Sequence, residues 1–103
     1  MRFERVDTGE ETRFCIEGTL DALTVSELRL EFDALITERR LMITFDLSRL
    51  RLIDNAGVGV LVSLWKRVRA NGGTLKIVGL SDQPRAIIRL LRLDHVFPVI
   101  YGE

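Results

Sequence analysis

A short apolar run, Leu41–Phe45, lies between two segments of helical periodicity, and this alternation is the feature that most constrains the fold. The second of those segments runs from about Asn55 to Arg69 and carries a broad apolar surface. A strand between two helices is joined to its neighbours by helical crossovers, which make the strands parallel. Because the run is almost continuously apolar, we expect it to be covered on both faces. In the first segment, the apolar residues at helical spacing are Val25, Leu28, Phe32, Leu35 and Ile36.

Local signals place the remaining elements. The turn signal "DTGEE" between "FERV" and "TRFCIEG" predicts a β-hairpin, and "TLKIVG" and "FPVIY" predict later strands. Thr24, with Glu27 three residues on, fits a capping box for the first helix. "DQPRAIIRLLRL" predicts a third helix. In that helix we expect Ile87, Leu90 and Leu91 to face inward, and Arg85, Arg89 and Arg92 to line the outer face.

The predicted order is therefore β-β-α-β-α-β-α-β, an α/β sandwich with a mixed sheet and helices packed against it. A chain of 103 residues with no linker or repeat is expected to form one domain, residues 1–103. The start of the chain has no apolar segment typical of a secretory signal. The longest stretch without charge is too short to span a membrane, which leads us to expect a cytoplasmic protein with no direct membrane insertion.

Composition excludes several kinds of function. Fifteen basic residues balance fifteen acidic ones, which argues against nucleic-acid binding by bulk charge. Residues 1–50 carry 7 basic and 11 acidic side chains, whereas residues 51–103 carry 8 and 4. This asymmetry fits either a solvated surface or a polarised one that steers a partner. With one cysteine and one histidine, a disulfide within the chain, a catalytic triad and a metal site are all unsupported, and no cofactor is expected.

The turn "DNAG" marks the start of the second helix and is the main candidate site. Asp54 and Asn55 are both good N-cap residues. Gly57 and Gly59 weaken an early helix, which fits either close packing on a strand or backbone left open for a partner. The residue best placed to carry a functional hydroxyl is Ala56, which has none.

Four segments in order resemble the STAS domain family, whose bacterial members include anti-sigma-factor antagonists. They are "GTLDALT", "DLSRLRLIDNAGVGVLV", "GGTLKIVGL" and "IIRLLRLDHVFPVI". Where this chain has Asp54-Asn55-Ala56-Gly57, the family pattern is D-S-S-G, and the resemblance implies that a partner anti-sigma factor, a serine kinase with an ATPase fold, phosphorylates the second serine. The corresponding residue is Ala56, which cannot accept a phosphate. Ser48 or Ser63 remains open as a displaced acceptor.

We therefore expect a non-enzymatic module that binds an anti-sigma kinase or another regulatory protein and is not switched at the usual position. The alternative is a small cytoplasmic STAS subunit of a membrane lipid or anion transport complex. A second copy of the chain is a further candidate partner. The predicted partner-binding residues are Asp21, Asp54, Asn55, Ala56, Gly57 and Val58.

Overall fold

The structure is a computed structural model that describes residues 1–101. It contains six strands, three α-helices and one short 3₁₀ helix, Leu93–His95, within that part of the chain. The strands are β1 (Arg2–Thr8), β2 (Glu11–Leu20), β3 (Met42–Asp46), β4 (Leu50–Ile53), β5 (Thr74–Val78) and β6 (Val99–Ile100). The helices are α1 (Val25–Thr37), α2 (Asn55–Ala70) and α3 (Asp82–Leu90).

The sheet has the order β1-β2-β3-β5-β6, with β1 and β2 antiparallel and the other neighbours parallel. The predicted mixed α/β sheet is confirmed, and one short strand is added to it. β4 pairs in parallel with Gly18–Leu20, the second half of β2, while Glu11–Cys15 pairs with β3. As a result, β2 and β4 end side by side, and the two segments that follow them start at the same edge of the sheet.

The core lies on one face of the sheet, between the strands and the helices. Three rings, Phe14, Phe32 and Phe45, meet edge to face at centroid distances of 5.4–5.7 Å. The expectation that the Leu41–Phe45 run is covered on both faces is wrong. Ile43 and Phe45 are buried, but Met42 is 47% exposed, so the strand alternates and its other face meets solvent.

The inward face of α3 differs from the predicted one. Pro84 and Ile88 are buried and Ile87 is half-buried, whereas Leu90 and Leu91 are 76% and 45% exposed. The helix ends at Leu90, and Arg92 adopts a left-handed conformation with φ 56°. Leu90 comes two residues after the buried Ile88 and so lies on the opposite side of the helix, whereas Leu91 is the C-cap, where the chain leaves the helix.

An ionic cluster ties the β1–β2 hairpin to the end of α1. The Arg5 guanidinium donates to Asp7 at 3.0 Å and to Glu38 at 2.6 Å. Arg40 donates to the Thr12 hydroxyl at 2.7 Å. The hydrogen bonds from Arg5 hold the pKa values of the Asp7 and Glu38 carboxyls below their usual range. The cluster thus joins elements that are about thirty residues apart in the chain.

Candidate partner-binding site

The turn after β2 is organised by Asp21. Its Oδ1 accepts hydrogen bonds from the backbone N–H groups of Leu23 at 2.9 Å and Thr24 at 3.1 Å. The predicted capping box is wrong, because the Thr24 side chain makes no cap hydrogen bond to α1. Its hydroxyl donates to the carbonyl oxygen of Thr19 at 2.9 Å and accepts from the backbone N–H of Asp21. The Asp21 side chain therefore stabilises the turn after β2 by hydrogen bonds to the backbone of that turn.

The start of α2 lies directly beside that loop. Asp54 is the N-cap: its Oδ1 accepts a hydrogen bond from the backbone N–H of Gly57 at 3.0 Å. Its second oxygen, Oδ2, lies 3.4 Å from the backbone nitrogen of Ala22, and its own N–H donates to the carbonyl of Leu20 at 3.2 Å. One carboxylate thus links the two turns that follow β2 and β4. Asn55 is the first helical residue and is exposed.

The two glycines of early α2 have different surroundings. Gly57 is buried, and a Cβ there would lie 2.5 Å from the Leu20 carbonyl oxygen and 2.7 Å from a side-chain carbon of Ile53. A Cβ on Gly59 would meet nothing within 4 Å. The two readings left open by the sequence therefore divide: Gly57 allows close packing on the strands, and Gly59 leaves open backbone at the surface.

The predicted site residues are only partly at the surface. Asp54 and Asn55 are exposed, Asp21 and Ala56 are half-buried, and Gly57 is buried. Val58 is 8% exposed, so its side chain belongs to the core and is not offered to a partner. The periodicity of α2 placed Val58 on an apolar face, and the structure shows that this face is buried in the core.

Two exposed leucines at this edge were not predicted as site residues. Leu23, in the Asp21 turn, is 86% exposed, and Leu52, two residues before Asp54, is 52% exposed. Both flank the start of α2. The sequence carries no clear signal for Leu52, because alternation from the buried Leu50 would place it on the same face, whereas β4 has Leu50 and Ile53 buried and Leu52 exposed. No sequence pattern indicated that Leu23 is exposed. It lies between β2 and α1, and the predicted ends of such elements are accurate only to within a residue or two.

The site offers backbone, carboxylate and apolar groups. Within residues 1–101, no group of three or more His, Cys, Asp or Glu side chains could hold a metal ion. The Ser48 hydroxyl donates to the Asp46 carboxylate at 2.6 Å, and Ser63 is exposed on the outer side of α2. None of the helices in the described part of the chain is long and apolar enough to cross a membrane.

The mixed sheet, the three helices and the capped start of α2 beside the turn after β2 define an α/β domain of one recognisable fold. The family model described as "Mlab, STAS domain" matches residues 4–101, and the chain belongs to the STAS domain family.

Relatives and solved structures agree with that assignment. The anti-sigma-B factor antagonist of Listeria monocytogenes is 23% identical over 90 residues, covering 85% of this chain and 79% of that protein. An anti-sigma F factor antagonist of Paenibacillus polymyxa is 24% identical over 89 residues, covering 85% and 76%.

Among structures, an anti-sigma factor antagonist from Mycobacterium paratuberculosis superposes with a TM-score of 0.85 at 20% identity, covering 99% of this chain and 87% of that one. SpoIIAA in its unphosphorylated form superposes with a TM-score of 0.74, also at 20% identity, covering 99% and 88%. The structural matches establish the STAS fold, and the names of the relatives support a regulatory protein-interaction role.

Proposed function

We propose that this chain is a non-enzymatic interaction module that binds a regulatory protein through the edge formed by the Asp21 turn and the start of α2. An anti-sigma factor with an ATPase fold and serine kinase activity is the expected partner, and the cytoplasm is the expected compartment. The single observation that supports this most is the exposure of Leu23, 86%, beside the Asp54 cap. The names of the relatives support the partner class.

Leu23 is suited to be an energetic centre of such an interface. A single exposed leucine is common on protein surfaces, but Leu23 stands in a turn whose neighbouring residue, Ala22, lies beside the Asp54 carboxylate at the start of α2. Fully burying one leucine side chain is worth about 1.5–3 kcal/mol. Asp21 and Asp54 fix the two turns with side-chain hydrogen bonds. The turns therefore lose little conformational entropy when a partner binds.

The proposed module is constitutive. Ala56, at the position that corresponds by resemblance to the phosphorylated serine, has no hydroxyl. Asp54 and Gly57 keep the turn geometry without any contribution from the side chain of residue 56. Binding would therefore not be interrupted by the charge that a phosphate brings to an interface.

A second candidate is a cytoplasmic STAS subunit of a membrane lipid or anion transport complex. It is favoured by the family model itself, whose description names Mlab rather than an antagonist. Both candidates predict binding at the same edge and differ in the partner. A self-associating chain is a third outcome that the same measurements would detect.

Affinity capture with two leucine variants tests the proposal. Leu23→Arg should abolish capture of the partner, whereas Leu30→Arg should not, because Leu30 is similarly exposed, at 75%, but lies on α1. Both variants should melt close to the wild type, since neither leucine is buried. Arginine at Val58 is unsuitable as a probe, because that side chain is in the core.

Mass spectrometry of the captured protein separates the candidates. An ATPase-fold serine kinase supports the first candidate, and an ATPase or permease of a transporter supports the second. Capture that is unaffected by Leu23→Arg but lost on Leu30→Arg would place the interface on α1 and overturn the proposed site. Size-exclusion chromatography with light scattering on the purified chain reports whether a second copy binds.

A further inference from the structure

Two arginines of α3 converge on one aromatic ring at the β6 edge of the sheet. The guanidinium carbon of Arg85 lies 4.9 Å from the centroid of the Tyr101 ring, and that of Arg89 lies 6.0 Å from the same centroid. Arg85 and Arg89 are four residues apart and so lie on the same side of the helix. Stacking on one ring holds the two like charges close together.

Neither guanidinium has a carboxylate partner within the part of the chain that the structure describes. The Asp94 carboxylate already accepts a hydrogen bond from the Tyr101 hydroxyl at 2.9 Å. Asp82 stands one turn before Arg85 but forms no ion pair with it. Two neighbouring cations that share no anion repel each other, and a carboxylate placed between them would relieve that repulsion.

An exposed apolar side chain follows this pair of arginines in α3. Leu90, next to Arg89, is 76% exposed. We propose that Arg85, Arg89 and Tyr101, with Leu90 next to Arg89 in the chain, form a second docking surface for an acidic segment of a partner protein. The partner segment would place carboxylates between the guanidinium groups and an apolar side chain against Leu90.

A protein segment fits this surface better than an anionic membrane. The two guanidinium groups are held at fixed positions by the Tyr101 ring, and planar guanidinium pairs with carboxylate in a defined bidentate geometry. Attraction to lipid headgroups needs no fixed geometry and grows with the number of cations near the surface. α3 and the turn that follows it carry three arginines, Arg85, Arg89 and Arg92. Three cations are few for stable attachment to a membrane.

This surface is distinct from the edge at the start of α2. α3 packs against β4 through Gln83, whose side chain bonds to the backbone N–H and C=O of Ile53. Arg85 and Arg89 instead face Tyr101, which follows β6, a strand that pairs with β5 and not with β4. The inference therefore does not depend on the proposed function.

A labelled poly-glutamate peptide provides the test, with binding followed by fluorescence anisotropy at low salt. The wild type should bind, and the aromatic NMR signals of Tyr101, the only tyrosine, should shift on binding. Arg85→Gln and Arg89→Gln should each weaken binding by about 1.5-fold to fivefold, as expected for exposed ion pairs. Arg69→Gln is the matched control, because Arg69 lies over Trp65 at 5.5 Å on another surface and its loss should change nothing.

Four outcomes would overturn the inference. The first two are a loss of peptide affinity in Arg69→Gln equal to that in Arg85→Gln or Arg89→Gln, and Tyr101 signals that do not shift when the peptide is added. The third is stronger binding to phosphatidylglycerol vesicles than to the peptide. The fourth is peptide binding that appears only in the Glu103→Gln variant. The last would mean that the chain supplies the anion itself, since Glu103 follows Tyr101 by two residues in the sequence. Leu23→Arg should leave peptide binding intact. The peptide assay therefore tests this inference alone, and the capture assay with Leu23→Arg tests the proposed α2 edge alone.

Discussion

The backbone of Gly57 lies directly against the carbonyl of Leu20, so close that a Cβ on residue 57 would stand 2.5 Å from that oxygen. The contact joins the first turn of α2 to the end of β2. Gly57→Ala should therefore force the helix start away from the strand and lower the free energy of unfolding by about 1–3 kcal/mol. Chemical denaturation of the purified variant measures this loss.

Gly59→Ala is the matched control for that experiment. It lies in the same helix, but a Cβ there meets nothing within 4 Å. Alanine is the better helix former, so Gly59→Ala should stabilise the protein by about 0.5–1 kcal/mol. Equal destabilisation by both substitutions would show that helix propensity, and not the contact with Leu20, governs the glycine at position 57.

Loss of the Asp54 cap should be measurable without unfolding the protein. Asp54→Ala removes the acceptor for the backbone N–H of Gly57 and should lower the free energy of unfolding by about 0.5–2 kcal/mol. Asp54→Ser should recover most of that loss, because serine caps helices nearly as well. Asn55→Ala, one position later, should have little effect, and a larger effect there than at Asp54 would contradict the assignment of the cap.

A hydroxyl restored at position 56 should leave the fold unchanged. Ala56→Ser changes a half-buried residue in the first turn of α2, where serine is tolerated. If an ATPase-fold serine kinase binds the α2 edge, the variant should gain one phosphate on incubation with that kinase and ATP. Intact mass spectrometry detects the gain. The wild type should stay unmodified, and a phosphate on it would instead direct mapping to Ser48 or Ser63.

The Arg5 cluster should make stability depend on pH in a defined direction. Arg5 lowers the pKa values of Asp7 and Glu38 in the folded state. Groups with lowered pKa values stabilise the fold above their unfolded pKa of about 4 and lose that contribution as the pH falls through the folded value. The melting-temperature gap between wild type and Arg5→Gln should therefore be widest near neutral pH and narrow in acid.

Arg2→Gln serves as the control on the same strand, because Arg2 forms no ion pair within residues 1–101. A gap between wild type and Arg5→Gln that stays constant from neutral to acidic pH would show that packing, and not charge, accounts for the effect of Arg5. High salt should also narrow the neutral gap, since the three groups are partly exposed.

The pKa of the Tyr101 hydroxyl should depend on the charged side chains around it. Burial and the hydrogen bond to Asp94 raise the pKa of its hydroxyl above the usual value, while Arg89 and Arg85 oppose that rise. Arg89→Gln should therefore raise the Tyr101 pKa further, and Asp94→Asn should lower it. Spectrophotometric titration of the single tyrosine measures both, and shifts of the same sign would contradict the arrangement.

Much of the fold could be predicted because its elements carry strong local signals. The helical spacing of Val25, Leu28, Phe32 and Leu35 matches their burial, and the predicted start of α2 at Asn55 is the observed one. β4 was not predicted, because it is four residues long and carries two exposed residues, Arg51 and Leu52. Its existence depends on pairing with the free half of β2, which is a non-local property.

The candidate site could be predicted less completely. Asp54 as a cap follows from its position before an apolar helix, and the hydrogen bond to Gly57 confirms it. Whether Val58 and Leu23 face the core or solvent depends on how α2 and the Asp21 turn meet β4 and β2. Hydrophobic periodicity along one element does not show how that element packs on its neighbours. Val58 was therefore assigned to the partner-binding surface wrongly, and the exposed Leu23 was missed.

The division of roles within the "DNAG" turn has a consequence for how such a protein can evolve. Asp54 and Gly57 each satisfy a contact with a fixed neighbour, so a change at either position passes through a less stable protein. Residue 56 has no such obligation. If the α2 edge binds a serine kinase as proposed, a lineage that exchanges alanine and serine there would lose or regain its response to that kinase while the scaffold and its neighbouring surfaces stay as they are.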